Sequence, residues 1–260
     1  MQAGPSNQLS AGRSRRRLVF VVVGVVVMGG IGYIVLSSGI GREVRGRLGR
    51  ATVTDRLAEI GPRVEPLWRS RLEKAGLSQL PTQLTLVILK ARRELVVFAP
   101  GPAAGNDVEI GRFAVTAASG GPGPKLREGD NQVPEGFYRI ESLNPNSRYH
   151  VALRVNYPSA DDRQNATADG RDPLTLGSDI MIHGGAASIG CVALGDAAIE
   201  ELFWLVASVG YERVELVFVP DVPPFSVVAA TDSLPWLAER YRELEARLTA
   251  LGLSAAPIGK

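Results

Sequence analysis

The sequence predicts a mainly β domain with flanking helices, of the α+β class, and three observations carry that prediction. Short runs rich in Val, Ile, Leu, Phe and Tyr recur between Leu84 and Val219, separated by Gly- and Pro-rich loops. Helical periodicity is confined to the flanks and to one late segment. With 260 residues and 45% hydrophobic content, the chain is large enough to bury one substantial core and carry appendages.

Taken in order, residues 1–17 form a polar, basic tail with Arg13, Arg15, Arg16 and Arg17, and no acidic residue occurs before Glu43. Leu18 to Leu36 is nineteen residues without a charge, which at ~1.5 Å per residue approaches the ~30 Å hydrocarbon core of a bilayer. That is longer than the ~7–15 apolar residues of a cleaved signal peptide, and Ser37-Ser38-Gly39 is a poor cleavage site. Residues 18–37 therefore read as an uncleaved, single-pass anchor. The arginines ahead of it predict a cytoplasmic tail, with the remainder on the periplasmic side of the inner membrane. Arg42, Arg45, Arg47 and Arg50 beyond the span run against that asymmetry.

In the 38–81 segment, Val53, Leu57, Ile60, Val64, Leu67 and Leu72 recur at helical spacing, reading as a stalk interrupted at Pro62 and Pro66. The β-rich domain spans 82–221, with strands expected at 84–89, 94–98, 108–117, 137–143, 149–155, 180–182 and 213–219. A helix is expected over Asp196–Val209, with Asp196 as its N-cap. The 222–260 extension carries a last amphipathic helix over 234–251, with Leu237, Tyr241, Leu244 and Leu248 on one face.

Charge gives little direction. The net charge is +2 and the basic excess sits in the N-terminal arginines, so there is no electrostatic case for nucleic acid. The chain has one cysteine and two histidines, which rules out an internal disulfide and makes a poor metal set. No metal or organic cofactor is implied. The sequence says nothing of oligomeric state.

The chemistry concentrates in His183-Gly-Gly-Ala-Ala-Ser-Ile-Gly-Cys191. A thiol needs a base to act as a nucleophile near neutral pH, and here the scarce thiol and a scarce base lie eight positions apart. Cys191 is read as nucleophile and His183 as base. The amides of Gly190 and Cys191, just ahead of a helix, are candidates to hold an oxyanion. Ser188 fits either a turn or a hydroxyl that orients the loop. His150, with Tyr149 beside it, lies on an expected strand and reads either as facing the site or as packing; the first is favoured, as a substrate contact. Lys125 and Arg127 lie in a charged turn, Gly123–Asp130, that reads either as a solvated loop or as a lip gripping an anionic substrate.

The pattern His-Gly…Ser-x-Gly-Cys resembles the signature of L,D-transpeptidase (YkuD-type) catalytic domains. Gly-Pro-Lys-x-Arg-Glu-Gly-Asp-x-Gln-x-Pro-Glu-Gly-x-Tyr (Gly123–Tyr138), Asn144-Pro-Asn-Ser147-Arg-Tyr-His150 and Asn156-Tyr-Pro158 are similar to its YafK-like branch. The resemblance implies an L,D-transpeptidase-type β-sandwich or barrel-like catalytic domain acting on peptidoglycan stem peptides in cell-wall and cell-shape biogenesis. By position it makes Cys191 the nucleophile and His183 its base and later acid. Gly184 matches a position whose carbonyl orients the imidazole. Ile189 stands where the family often has a second histidine, and Ala193 where many members carry Asn or Arg. Transpeptidation and hydrolysis at the same cysteine both remain open, and a non-catalytic peptidoglycan-binding protein is the third reading. The intact Cys–His pair argues against the last, because a pure binder has no use for it.

Overall fold

The computed structural model describes residues 50–103, 105–225 and 234–254. The tail at 1–17 and the apolar span at 18–37 lie outside the described residues. No helix among the described residues is long and apolar enough to cross a membrane. The elements below belong to one unit, Thr52–Lys260.

Among the described residues, nine strands form a mixed sheet: β1 (Leu84–Leu89), β2 (Glu94–Pro100), β3 (Asp107–Ala114), β4 (Ala117–Ala118), β5 (Gly136–Ser147), β6 (His150–Val155), β7 (Met181–His183), β8 (Val192–Ala193) and β9 (Val214–Val219). Their order across the sheet is β3-β2-β1-β9-β5-β6-β7-β8-β4. Two neighbouring pairs are parallel, β1 with β9 and β7 with β8. The long β5 is the corner: residues 136–139 pair with β9, and residues from Ile140 onward pair with β6. Among the described residues, four α-helices flank the sheet: α1 (Val53–Lys74), α2 (Ala160–Ala168), α3 (Asp196–Val209) and α4 (Leu237–Ala250).

β1 shows why the centre is covered on both faces. All six of its residues are buried, and alternation along a strand sends neighbours to opposite sides. Leu84, Leu86 and Ile88 join the core shared with α1 and α3, while Val87 and Leu89 join the core covered by Leu237, Tyr241, Leu244 and Leu248 of α4.

Three expectations change here. α1 is not interrupted: it runs unbroken from a Thr52–Asp55 capping box through Pro62 and Pro66. Nor is it a stalk apart from the domain, since Ile60, Val64, Trp68 and Leu72 are all buried in the main core. A proline inside a helix costs ~3 kcal/mol. Burial of these side chains offsets the prolines, helped by Trp68 Nε1 donating to the Glu201 carbonyl of α3 at 2.8 Å. The N-cap of α3 also moves. Gly195, at φ 76°, occupies it, and Asp196 is the first helical residue.

The loop from Ser119 to Glu135 is tied down by a buried charge pair. Glu135 is 0% exposed. Its Oε1 accepts from Lys90 Nζ and from the Gly123 N–H, each at 2.9 Å, and its Oε2 accepts from Tyr241 OH at 2.5 Å. Lys90 Nζ also donates to the carbonyls of Gly123 and Val133. Burial pushes the Lys90 ammonium below its usual value, and the attraction of Glu135 opposes that. One carboxylate thereby links the β1–β2 turn, the loop and α4.

Candidate active site

β7 and β8 place the two reactive groups. Their parallel register aligns Ile182 with Val192 and His183 with Ala193. Ile182 and Val192 both point into the core, so the side chains flanking them turn to the other face. His183 follows Ile182 and Cys191 precedes Val192, so both are on that face. A strand spacing of ~4.8 Å and an offset of two residues put their Cα atoms about 8 Å apart.

His183 is held on every side. The residue is only 2% exposed. Its Nδ1 lies 2.6 Å from the Gly184 carbonyl. A carbonyl can only accept, so Nδ1 carries the proton and Nε2 keeps its lone pair. Tyr149 stacks on the imidazole at 4.7 Å between ring centres and 23° between planes. Desolvation lowers the His183 pKa from 6.5, with the Gly184 carbonyl pulling the other way.

The glycine after His183 admits no substitute. A Cβ at Gly184 would meet Asp196 Oδ1 at 2.5 Å and the Tyr149 carbonyl at 2.8 Å. The Gly184 N–H donates to that same carbonyl at 3.0 Å. Asp196 Oδ1 in turn accepts the Gly185 N–H at 2.8 Å. Having given up the capping position, Asp196 fastens the loop that orients the base.

Cys191 is half-buried, and its thiol donates to the Asp179 carbonyl at 3.6 Å. Burial pushes the thiol above 9.0; the Met181 N–H and the Lys125 charge oppose the rise, and the Asp179 carboxylate adds to it. Thiol and imidazole are not hydrogen-bonded to each other among the described residues. With the thiol raised and the imidazole lowered, the resting pair is neutral. A neutral pair of this kind can pass a proton from thiol to imidazole during an attack; it is not a preformed thiolate–imidazolium pair.

The loop around the thiol is held by hydroxyls. Ser188 Oγ donates to the Cys191 carbonyl at 2.6 Å, and Gly190 adopts φ 89°, a conformation that favours glycine. Its N–H donates to Ser119 Oγ at 2.6 Å. Thr116 Oγ1 lies within hydrogen-bond reach of the carbonyls of Gly185 and Ala193, at 3.1 and 3.0 Å.

The more distant expectations fare differently. Tyr149 reaches the site, as the platform beneath the imidazole. His150 has its Nε2 2.7 Å from Glu200 Oε1, and Glu200 also pairs with Arg63 of α1. It binds the β5–β6 turn to the helices instead of presenting a free ring. Lys125 is 8% exposed, with Nζ bonded to Asp130 and to the Arg127 carbonyl, so it builds its loop from within. Arg127 is exposed, and its N–H donates to Asp130. Thr116 and Ser119 give no signal in the sequence, while Asp179 and Asp196 read there as a turn residue and a helix cap and are found beside the site.

The sequence model of the L,D-transpeptidase (YkuD) catalytic domain matches residues 83–216, more than half of the chain. Over 96 residues the chain is 42% identical to YafK of Escherichia coli (strain K12), a protein named as a candidate L,D-transpeptidase. That match covers 36% of this chain and 36% of YafK, so it spans about a third of the relative's length. Among solved structures, the helical cell shape determining protein Pgp2 from Campylobacter jejuni aligns with a TM-score of 0.42 and 21% identity, over 59% of this chain and 55% of Pgp2. Mycobacterium tuberculosis L,D-transpeptidase 1 aligns with a TM-score of 0.31 and 14% identity, over 53% of this chain and 62% of its own.

Proposed function

Because the chain belongs to the L,D-transpeptidase (YkuD) catalytic-domain family, we propose that it is a cysteine acyl-transfer enzyme acting on peptidoglycan stem peptides. The observation that carries this reading is the β7–β8 register. It brings His183, the last residue of β7, and Cys191, the residue before β8, toward one face of the sheet, with the proton of His183 on Nδ1.

The reaction follows from that arrangement. Cys191 Sγ attacks the carbonyl carbon of a stem-peptide amide while His183 Nε2 accepts the thiol proton. The tetrahedral oxyanion lies against the N–H groups of the Gly190–Cys191 loop. Collapse breaks the C–N bond, the imidazolium returns its proton to the leaving amine, and a thioester remains on Cys191. A second nucleophile, activated by the same imidazole, then takes the acyl group. The Tyr149 ring and the Gly184 carbonyl keep the base from turning between the two half-reactions.

The same reading takes residues 18–37 as a single-pass anchor, with the catalytic unit on the extracytoplasmic side. Its support is the charge-free run preceded by four arginines. A reporter fused after residue 51 and active only outside the cytoplasm tests that topology.

Mass spectrometry of the full chain incubated with a tetrapeptide-stem muropeptide, with and without a free D-amino acid, tests the chemistry. An acyl adduct on Cys191 with an exchanged or cross-linked product is the expected result. An adduct followed by release to water alone would make the protein a hydrolase at the same centre. Folded protein with no adduct and no product would overturn the acyl-transfer reading.

A further inference from the structure

The Gly190 N–H, which the proposed reaction uses to hold the oxyanion, already donates to Ser119 Oγ at 2.6 Å. Ser119 follows β4, whose antiparallel register against β8 runs Ala117 to Ala193 and Ala118 to Val192. Continuing that register by one residue sets Ser119 across from Cys191, where facing Cβ atoms lie about 5 Å apart. The hydroxyl therefore bonds the amide of the residue directly before Cys191, on the strand register that leads to it.

Three physical points bear on what it does there. A serine oxygen that accepts from an N–H keeps its own proton free to donate, and among the described residues that proton has no acceptor. The oxygen sits close to the roughly 2.7–3.1 Å shell around an N–H that an oxyanion would occupy. Ser119 also borders a recess of about 210 Å³ shared with Lys90, Arg93, Gly120, Gly121 and Pro122, so it is not enclosed on all sides.

We propose, resting on the acyl-transfer reading above, that Ser119 is a side-chain member of the oxyanion hole. In the free protein its oxygen stands where the oxyanion will form and keeps the Gly190 amide aimed at that point. When the acyl carbonyl enters, the hydroxyl rotates about χ1 and donates its O–H to the developing oxyanion beside the Gly190 N–H. No proton is transferred and no bond to Ser119 forms. The hydrogen bond strengthens as charge builds on the oxygen, so it acts on turnover rather than on substrate binding.

The test compares Ser119→Ala and Ser119→Thr with the unaltered full chain in two reactions at Cys191. One is acylation by a tetrapeptide-stem muropeptide. The other is alkylation by iodoacetamide, a displacement at an sp³ carbon in which no oxyanion develops. Ser119→Ala is expected to lower the limiting acylation rate by about 10²-fold. KM and the alkylation rate should stay within about twofold, and Ser119→Thr should recover most of the loss. Acylation within about twofold of the unaltered chain would overturn the proposal. So would an equal fall in alkylation, which marks a brace for the loop. Turnover surviving in Cys191→Ala would instead sink the acyl-transfer reading itself, whatever Ser119 does.

Discussion

The two halves of the sheet that meet in β5 are held together by different means. On one side, β1 and β9 run parallel over six residue pairs, from Leu84 opposite Val214 to Leu89 opposite Val219, between two apolar cores. On the other, β7 has three residues and β8 and β4 have two each. That half is laced by polar groups: Thr116, Ser119, Ser188 and Asp196 each bond backbone of the Gly184–Ala193 region. Apolar burial is non-directional and sums over area, whereas a hydrogen bond fixes the direction of a single group. Stability is weighted toward the first half, which has an apolar core on both faces; the second has its core on one face and carries the orientation.

The widest separation between the halves is expected from Cys191→Ala. Turnover should fall by about 10⁶-fold, as when a nucleophile is deleted from a coupled catalytic unit. The urea midpoint should barely move, because the thiol is only half-buried and makes one long hydrogen bond. The opposite profile is expected of Glu135→Ala. With Lys90 Nζ left in the interior and its side chain only 5% exposed, the loss should be about 3–5 kcal/mol in equilibrium unfolding. A change below 1 kcal/mol would show that the polar network contributes little to the stable half.

Asp196→Ala tests whether orientation is separable from stability. The Gly185 N–H that it releases lies at the surface, so about 1 kcal/mol of stability is expected to go. The base it helps to aim should lose more, since misplacement by an ångström costs on the order of 10²-fold in rate. A stability loss larger than the rate loss would erase the distinction between the halves.

The smallest effect is in pH. His183 is lowered from 6.5 by burial and Cys191 raised above 9.0 by burial. The active neutral pair should therefore give a kcat/KM plateau whose acid limb lies below pH 6.5 and whose alkaline limb lies above 9.0. The sign for stability follows from the same shift. Below pH 6.5 the unfolded chain binds a proton that folded His183 refuses until its lowered value is reached, so stability declines on acidification through that window. His183→Gln should flatten that part of the stability curve, and an unchanged slope would assign it to other groups.

The stable half was the legible half. The run LTLVIL, apolar but for Thr85, delimits β1 to the residue, and the apolar face of Ile199, Leu202, Phe203 and Val206 does the same for α3. The two-residue strands β4 and β8 are too short to show a period. α2 is barely amphipathic, and its one signal is the Ser159–Asp162 capping box. At the site, Cys191 and His183 stand out through scarcity. Ser119, in a Gly-rich loop, carries no local sign that its oxygen meets an amide 71 positions on. His150 and Lys125 were given to substrate because the sequence does not reveal that Glu200 and Asp130 already hold them. A charged side chain in a motif is read as free until the fold supplies its partner.

The corner strand has a consequence for which changes in chain length the protein tolerates. β5 serves both halves, its first four residues set against β9 and the rest against β6. One residue inserted before Ile140 would reverse the facing of everything downstream in the strand, because side chains alternate with a period of two. The same insertion at Gly105 falls in a turn between strands, where it changes no strand's facing and where a Cβ would have nothing within 4 Å. Insertions and deletions accumulated by descent should therefore crowd the turn between β2 and β3 and leave β5 at constant length.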